Sequence, residues 1–328
     1  MPQKLKKPAR PSGGKPVKKA AKKAPKKVIK KATKPANKKA VKKAPVKVVK
    51  KTPLKVVKKT IESKVNDFVI RFANVNGTGS ASANFLFTKA IFRMGIPVTP
   101  KNIFPSNIQG LPTWYEVRVN EKGYLGRREG IDFMVAVNPQ SMLNDVKSVR
   151  KGGYFLYDSS KPLHSQYLRD DINYIGIPLM QMCNEAYTDA RQRQLFKNII
   201  YVGALIALFD IEFSVVEGLL ADQLKKKEKL IPSNVKALQL GIEYIKANFK
   251  YPLDIRVERR DLVKDWIMME GNAACGLGAV YAGVTFAAWY PITPSTSVIE
   301  AFGDFAADYR TDPTTGKKNV AIVQAEDE

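Results

Sequence analysis

The strongest constraint on the fold is a strand–helix–strand order near the C-terminus. Apolar residues 285–290 predict a buried strand, residues 295–309 predict a helix, and residues 320–323 predict a second strand. Two strands joined in this way pair in parallel through a right-handed crossover. The segments that follow them, YPITPS and QAEDE, should therefore lie at one edge of the sheet, where open α/β sheets bind ligands.

A helix rich in small residues precedes the first of these strands. Ala274, Gly278 and Ala282 recur at helical spacing, so this face lacks bulk and is expected to lie close to a neighbouring element. Cys275, on the same helix, is expected to be a packing residue. Cys275 and Cys183 are the two cysteines of the chain, too few for a four-thiolate iron–sulfur cluster or for a disulfide framework.

The first 60 residues differ sharply in charge from the rest. They contain 24 of the 55 Lys and Arg residues and none of the 30 Asp and Glu residues, which leaves 31 basic and 30 acidic residues in 61–328. Repeated KKA and KVVKK units broken by Pro cannot bury enough apolar surface to fold, so we predict a disordered arm over residues 1–62. The arm resembles the lysine-rich tails of linker histones. It is either a solvated arm with incidental polyanion affinity or a dedicated DNA-binding arm.

A second α/β unit is predicted directly after the arm. Residues 67–73 predict a strand, and residues 81–94 predict a helix. The turn between them contains Asn76, Gly77, Thr78 and Gly79 and is called the NGTG turn below. Because it lacks the third glycine of a dinucleotide fingerprint, we interpret it as a turn that brings a helix N-terminus close to a phosphate or to a partner backbone.

The central region predicts further strands and helices, with a shaped loop at residues 97–112. The predicted strands are 114–119, 131–137, 153–157 and 174–179, and the predicted helices are 141–150, 194–209, 215–229 and 233–249. Ser233 is expected to cap the last of these helices, and residues 250–270 to form a surface connector. His164 is the one histidine and is expected at the surface, so a histidine metal cluster is excluded. No apolar run reaches about 18 residues, and no membrane helix is predicted.

Two motifs carry a resemblance to a known family. The pattern GNxAxxxGAxxAGxxFxxxYPITPS, followed by a short strand and QxEDE, resembles the start of the pyrimidine-binding domain of 2-oxoacid:ferredoxin oxidoreductase alpha subunits, which are thiamine diphosphate enzymes. The order NGTG, NIFPSNIQG, FKNIIYVGALIALF is similar to the gamma domain that one branch of the family fuses in front. Since the family's domain continues beyond the EDE motif, we expect a fragment or a truncated copy.

The resemblance implies an α/β fold with two domains joined by a linker. A Rossmann-like gamma-type domain would span residues 63–252, a linker 253–270, and the first part of the thiamine diphosphate domain 271–328. A gamma–alpha fusion is typical of the 2-oxoglutarate branch, so 2-oxoglutarate is the expected substrate.

The resemblance also implies roles for individual residues. Thr293 falls on the motif threonine whose hydroxyl faces the substrate carboxylate. Glu328 falls on the carboxylate that binds the pyrimidine ring, with Glu326 as the alternative. The implied cofactor-binding segment is Tyr290, Pro291, Ile292, Thr293, Pro294 and Ser295, together with Glu328. The residues alone leave other interpretations open, because Thr293 can be a helix-capping residue and the two glutamates a solvated terminus.

The resemblance finally implies partners. The chain has no GDG…N motif for magnesium and diphosphate and no CxxC pattern, which the family places on a beta subunit. We therefore expect a cytoplasmic hetero-oligomer with a beta subunit that carries magnesium and the iron–sulfur cluster. Thiamine diphosphate would be shared between the subunits, coenzyme A would accept the acyl group, and ferredoxin would accept electrons. Two alternatives stay open: a non-catalytic polyanion- or DNA-binding protein working through its tail, and a nucleotide-binding regulator using the NGTG turn.

Overall fold

The computed structural model describes residues 64–104, 110–225, 227–292 and 295–326, which belong to one compact unit spanning Lys55–Glu328. The predicted arm over residues 1–62 lies outside the described residues. The described strands are β1 (Lys64–Val65), β2 (Asp67–Val75), β3 (Val98–Ile103), β4 (Pro112–Asn120), β5 (Ile131–Ala136), β6 (Val149–Asp158), β7 (Asn173–Ile177), β8 (Ile255–Arg256), β9 (Phe286–Trp289) and β10 (Ala321–Gln324). The α-helices are α1 (Ser80–Arg93), α2 (Met142–Ser148), α3 (Leu179–Ala186), α4 (Ala190–Leu208), α5 (Phe213–Gln223), α6 (Ile231–Asn248), α7 (Gly271–Tyr281) and α8 (Ser295–Tyr309).

A six-stranded mixed sheet with the order β3-β4-β2-β5-β6-β7 forms the centre of the structure. Strands β2, β5, β6 and β7 are parallel, whereas β4 runs antiparallel to both β2 and β3. Along β2, Phe68, Ile70 and Phe72 face one apolar core, and Val69 and Ala73 face a second, smaller one. The sheet is thus buried on both faces, as is typical of parallel α/β sheets. The predicted α/β class is confirmed.

Helix α4 lies in the larger core and is buried along most of its length, as its nearly continuous apolar sequence predicts. It crosses α6 at a contact that only glycine permits. A Cβ atom on Gly203 would lie 2.1 Å from the Leu238 carbonyl oxygen, and one on Gly241 would lie 2.0 Å from the Ile200 carbonyl oxygen. The close crossing fixes the position of α4, which carries two residues of the candidate site.

Several predicted elements differ from those observed. The predicted loop at 97–112 contains the edge strand β3, which accommodates Pro100 because an edge strand needs hydrogen bonds on one side only. Helix α3 was missed. Helix α6 begins at Ile231 with Pro232 in its first turn, so Ser233 is not the N-cap. The connector is not confined to the surface, because β8 pairs with β1 and both Val257 and Val263 are buried.

The C-terminal part contains α7, β9, α8 and β10. Strands β9 and β10 pair in parallel, as predicted, and the helices pack together around Val280, Phe302 and Ala306. The predicted burial of the first strand is wrong. Ala287 faces the small core, but Phe286 on the opposite face is 61% exposed, because no described element covers that face of the two-stranded sheet.

The small-residue face predicted for α7 is also wrong. Ala274, Gly278 and Ala282 are exposed, and α8 is instead contacted through Gly276, where a Cβ atom would lie 2.6 Å from the Phe302 backbone nitrogen. Cys275 is exposed and is therefore not a packing residue. Helical spacing showed that a face without bulk exists, but it did not show which face the neighbouring helix uses. Within the described part of the chain, no helix has the length and apolar character needed to cross a membrane.

Candidate functional site

The NGTG turn connects β2 to α1 at the carboxyl end of the parallel strands. Gly77 and Gly79 have φ values of 82° and 75°, which glycine adopts without a steric penalty. The Thr78 hydroxyl donates a hydrogen bond to the Val75 carbonyl oxygen at 2.8 Å. From the other side, the Asn198 side chain on α4 donates to the Thr78 carbonyl oxygen at 2.9 Å. The turn is therefore held by its own hydroxyl and by a buried helix.

Helix α1 starts directly after this turn with no side-chain cap on its first N–H groups. Uncapped N–H groups and the helix dipole favour a hydrogen-bond acceptor or an anion at this end. A side chain at Gly79 would obstruct the arrangement, because its Cβ atom would lie 2.7 Å from Leu195 Cδ2. The helix N-terminus and the glycine-rich turn thus face the same space.

That space is a pocket with a volume of about 290 Å³, close to the lower limit for small-molecule sites. Carboxamides and aromatic rings dominate its wall, and no described lining residue carries a formal charge. The lining residues are Asn74, Asn76, Gly77, Gly79, Ser80, Ala81, Asn84, Asn102, Phe104, Thr113 and Tyr115. A pocket of this size can hold one segment of a large ligand.

A chain of buried hydrogen bonds supports the pocket floor. The Tyr201 hydroxyl donates to Asn84 Oδ1 at 2.7 Å, and Asn84 Nδ2 donates to Asn74 Oδ1 at 3.0 Å. These residues lie on α4, α1 and β2, and their exposed fractions are 0%, 1% and 2%. The buried Asn74 Nδ2 atom has no hydrogen-bond partner among the described residues.

Two buried phenols belong to this site. Burial raises the pKa of Tyr115, which lines the pocket, and it also raises the pKa of Tyr201 beneath it. Both hydroxyl groups therefore stay protonated at neutral pH and keep their capacity to donate a hydrogen bond.

The second candidate region is the edge formed by the YPITPS and QAEDE segments. Gln324 is paired with Trp289, and the Ala325 N–H donates to the Trp289 carbonyl oxygen at 2.7 Å. The two segments therefore leave the paired strands side by side, which confirms the predicted adjacency of the strand ends. Glu326 is exposed at this edge. Of the predicted catalytic residues, Thr293 and Glu328 lie outside the described residues, as does Pro294.

The described part of the YPITPS segment forms a compact turn. The Ser295 hydroxyl lies 2.9 Å from the Tyr290 carbonyl oxygen and 2.8 Å from the Ile292 carbonyl oxygen. Helix α8 begins at Ser295, so its N-terminus opens toward the edge that carries Glu326. Pro291 and Ile292 are exposed. This edge thus combines a helix N-terminus, which favours a negatively charged ligand group, with a carboxylate, which favours a group that donates hydrogen bonds.

A buried charge cluster lies at the amino end of the parallel strands, opposite the end that carries the NGTG turn. Asp132 contacts Lys64, Arg128 and Arg150 and accepts a hydrogen bond from the Val69 N–H at 2.8 Å. Burial raises the pKa of Asp132, against the lowering effect of its cationic neighbours. The cluster ties β1, β5 and β6 together. Among the residues described, no group of three or more His, Cys, Asp and Glu could hold a metal ion.

Sequence reasoning found the NGTG turn but missed the residues beneath it. Asn74 follows the alternation of Phe68, Ile70 and Phe72, so an amide in a core-facing position was a detectable signal. Asn84 and Tyr201 gave no local signal, since they are 117 positions apart in the chain. His164 accepts a hydrogen bond from the Gln166 N–H at the surface, as expected of a structural residue.

Comparison with known proteins gives two family matches. Residues 69–244 match the family described as pyruvate ferredoxin/flavodoxin oxidoreductase. Residues 277–328 match the family described as the thiamine diphosphate-binding part of pyruvate flavodoxin/ferredoxin oxidoreductase. The first match contains the pocket beside the NGTG turn, and the second contains the YPITPS and QAEDE segments.

Individual relatives agree with these families. The alpha subunit of 2-oxoacid:ferredoxin oxidoreductase 2 from Aeropyrum pernix is 23% identical over 308 residues, which cover 80% of this chain and 47% of that protein. The KorA subunit of 2-oxoglutarate synthase from Methanocaldococcus jannaschii is 61% identical over 33 residues, 10% of this chain and 9% of that protein. The chain spans about half the length of the longer-matching relative.

A solved structure has a similar fold. The 2-oxoglutarate:ferredoxin oxidoreductase from Magnetococcus marinus, solved with 2-oxoglutarate, coenzyme A and succinyl-CoA bound, aligns with a TM-score of 0.66 at 28% identity. The alignment covers 80% of this chain and 44% of that one.

Proposed function

The chain belongs to the pyruvate ferredoxin/flavodoxin oxidoreductase family, and on this premise we propose that it acts as the alpha-type subunit of a 2-oxoacid:ferredoxin oxidoreductase. The complete enzyme would oxidatively decarboxylate a 2-oxoacid, transfer the acyl group to coenzyme A and pass the electrons to ferredoxin. The observation that carries this proposal is the parallel pairing of β9 and β10, because it brings the YPITPS and QAEDE segments to one edge within the matched thiamine diphosphate region.

Thiamine diphosphate fits the donor set of this edge. Its pyrimidine ring requires a carboxylate as hydrogen-bond acceptor, and Glu326 provides an exposed carboxylate next to the end of β10. We assign the ring-binding role to Glu328, with Glu326 as the alternative. Thr293 would donate its hydroxyl hydrogen to the substrate carboxylate, and residues 290–295 would shape the surrounding wall. When bound, the cofactor supplies the carbanion chemistry of decarboxylation, while the protein binds and orients the reacting groups.

We assign coenzyme A to the pocket beside the NGTG turn. Asn76, Gly77, Thr78 and Gly79 bring the uncapped N-terminus of α1 to a polar pocket of about 290 Å³. The similar Magnetococcus marinus enzyme has coenzyme A among its bound ligands, which supports this ligand for the family. The pocket is too small for the whole molecule, so the remainder of the ligand would extend outside it.

We propose 2-oxoglutarate as the substrate. The short KorA match and the 2-oxoglutarate enzyme of Magnetococcus marinus support this choice. In this proposal residues 63–252 form a gamma-type domain, residues 253–270 a linker, and residues 271–328 the start of the thiamine diphosphate domain. A beta subunit would contribute magnesium and the iron–sulfur cluster, so the active form would be a cytoplasmic hetero-oligomer that reduces ferredoxin.

The test is an assay of the gene product purified with its beta-type partner. We expect ferredoxin reduction that requires coenzyme A and is faster with 2-oxoglutarate than with pyruvate. Thr293→Val should lower kcat/KM about 10- to 100-fold, because it removes a hydrogen bond to a charged group. Thr311→Val is the matched control, since Thr311 is exposed and its hydroxyl donates to the Ala307 carbonyl oxygen near the end of α8. Full activity in Thr293→Val would remove the role assigned to that hydroxyl.

A second candidate function rests on the charge of the N-terminal arm. Residues 1–60 carry 24 basic and no acidic side chains, whereas residues 61–328 are close to neutral. Such an arm would bind duplex DNA through phosphate contacts, with an affinity that falls steeply with salt. Fluorescence titration of a DNA duplex at 50 and 200 mM salt, with the chain and with a version lacking residues 1–60, would test this role. Equal affinities of the two proteins would refute it.

A further inference from the structure

We propose that the pocket beside the NGTG turn holds a diphosphate bridge, and that the Ser80 hydroxyl donates a hydrogen bond to one of its phosphate oxygen atoms. The ligand would be a nucleotide whose two bridging phosphates are both esterified, as they are in coenzyme A. This inference rests on the proposed function for the identity of the nucleotide. The anion-binding groups are read from the described residues alone.

Ser80, the first residue of α1, brings an unpartnered hydroxyl to the pocket. The residue is 5% exposed, and it lines the pocket wall. Its hydroxyl has no hydrogen-bond partner in the described part of the chain, and its oxygen atom is not one of the polar atoms that are sealed from solvent. The small accessible part of this side chain therefore opens into the pocket, where the hydroxyl can donate to a ligand.

The backbone N–H groups of the first turn of α1 lie beside this hydroxyl. No side chain caps the helix, and its first turn contains no acidic residue. The helix dipole adds partial positive charge at this end, so the free N–H groups favour an anion. Gly77 and Gly79 precede the helix without side chains and with positive φ, which lets a ligand approach these groups closely. A hydroxyl next to free N–H groups suits a phosphate oxygen.

The charge of the wall selects the kind of phosphate. A terminal phosphate monoester carries about 1.5 to 2 negative charges at pH 7, and Arg or Lys commonly binds it through charge-assisted hydrogen bonds. The described wall has no charged side chain. Each phosphate of a diphosphate bridge carries a single negative charge, and such bridges bind at helix N-termini after glycine-rich turns. The wall therefore favours the bridge over a terminal phosphate.

The test is isothermal titration calorimetry of the full chain with coenzyme A and with two of its fragments. Dephospho-coenzyme A keeps the diphosphate bridge, whereas adenosine 3′,5′-bisphosphate carries phosphate monoesters only. Ser80→Ala should weaken the binding of coenzyme A and of dephospho-coenzyme A about tenfold or more, because a hydrogen bond to a charged group is lost. It should change the affinity for adenosine 3′,5′-bisphosphate by less than about twofold. NAD⁺, which carries the same bridge, is titrated as a second source of this group.

Three further variants separate ligand binding from a merely structural role. Ser82→Ala is the matched control, since Ser82 is exposed on the same helical turn, and it should bind as the wild type does. Ser80→Thr keeps the hydroxyl and should retain the affinity to within about threefold. Ser80→Asp should abolish the binding of bridge-carrying ligands by repulsion, while the helix dipole stabilises the new carboxylate. Its urea midpoint should therefore not fall, so affinity and stability would change independently.

Unchanged affinity of folded Ser80→Ala for coenzyme A and dephospho-coenzyme A would overturn the inference. An equal loss for adenosine 3′,5′-bisphosphate would overturn it as well, because the pocket would then bind a terminal phosphate.

Failure of the proposed function gives a different pattern. Ser80-dependent binding of NAD⁺ by a chain that does not bind coenzyme A would refute the coenzyme A assignment and support the diphosphate site. Coenzyme A-dependent turnover of the assembled enzyme, with Ser80→Ala and Ser80→Asp indistinguishable from the wild type, would refute the role of Ser80 and leave the proposed function in place.

Discussion

The NGTG turn can be tested through a single methyl group at Gly79. Gly79 has a φ of 75°, and its substituent would lie 2.7 Å from Leu195 Cδ2. In Gly79→Ala the left-handed conformation costs about 1–2 kcal/mol. The reduced freedom of the unfolded chain offsets about 0.4–1 kcal/mol of this. The contact with Leu195 adds a further cost, which stays small because the end of a half-exposed leucine can move.

Two other glycines separate these contributions. Gly110 has a φ of 91°, and no described residue would lie within 4 Å of a Cβ atom there, so Gly110→Ala reports mainly the backbone cost. Gly126 has no positive φ, and a Cβ atom there would have no neighbour within 4 Å in the described part of the chain, so Gly126→Ala should be close to neutral. We expect the free energy of unfolding to fall in the order Gly126→Ala, Gly110→Ala, Gly79→Ala. Combining Gly79→Ala with Leu195→Ala should remove the part of the destabilisation that comes from the contact with Leu195 and leave the backbone part unchanged.

The assay is urea denaturation followed by circular dichroism, with the midpoint and slope compared for all variants. The largest expected loss is about 1–2 kcal/mol, which is measurable as a shift of the midpoint at constant slope. If Gly79→Ala is as stable as Gly126→Ala, the turn does not require glycine and the described geometry is wrong. If adding Leu195→Ala to Gly79→Ala recovers no stability, the contact between residue 79 and Leu195 on α4 contributes nothing to the loss in the free energy of unfolding.

Two further predictions concern packing and reactivity. Gly203→Ala should destabilise the protein by about 1–3 kcal/mol or more, because the new methyl group overlaps the Leu238 backbone. Gly218→Ala on α5 should stabilise it by about 0.5–1 kcal/mol, because alanine favours a helix more than glycine does. Urea denaturation measures both changes. Burial raises the pKa of Cys183 to about 11, whereas Cys275 is exposed. At pH 8 an aromatic disulfide reagent should therefore modify Cys275 quickly and Cys183 only after denaturation. Fast modification of both thiols in the native protein would contradict this prediction.

The sequence predicted elements whose patterns are local and strong. Strand β2, the NGTG turn and α1 follow from an apolar run, two glycines and a helical repeat within 27 consecutive residues, Asp67–Arg93. The β9–α8–β10 order follows in the same way, and the parallel pairing comes from the general rule on crossovers. These elements were predictable because their stability depends on neighbours in the chain.

The missed features depend on distant contacts. Strand β3 contains Pro100, Lys101 and Asn102, which indicate a loop until pairing with β4 stabilises them as an edge strand. The exposed face of α7 could not be recognised, because small residues lie on several sides of that helix and the close contact with α8 is made at Gly276 rather than at Ala274, Gly278 and Ala282. The Asn84–Tyr201 hydrogen bond joins α1 to α4, and no property of either residue alone predicts it.

The two candidate regions share one structural feature but differ in how many elements support it. Each lies where parallel strands end and a helix begins, so backbone N–H groups and strand-end side chains converge. The pocket beside the NGTG turn is supported by three elements, β2, α1 and α4, whose polar residues Asn74, Asn84 and Tyr201 are fixed by buried hydrogen bonds. Under the proposed function, such a framework would orient the ligand, because the positions of the pocket residues are set by the folded core.

The β9–β10 edge has less internal support. Its two strands present one covered face and one exposed face, and Glu326 stands at the surface with Phe286 61% exposed on the adjoining strand. A carboxylate in water binds a ring nitrogen weakly, because both groups are already hydrogen-bonded to solvent. Catalysis at this edge under the proposed function therefore requires further protein surface to exclude water. The same requirement explains why a cofactor shared between subunits is chemically reasonable here, since the second surface supplies the low-dielectric environment in which the carboxylate becomes effective.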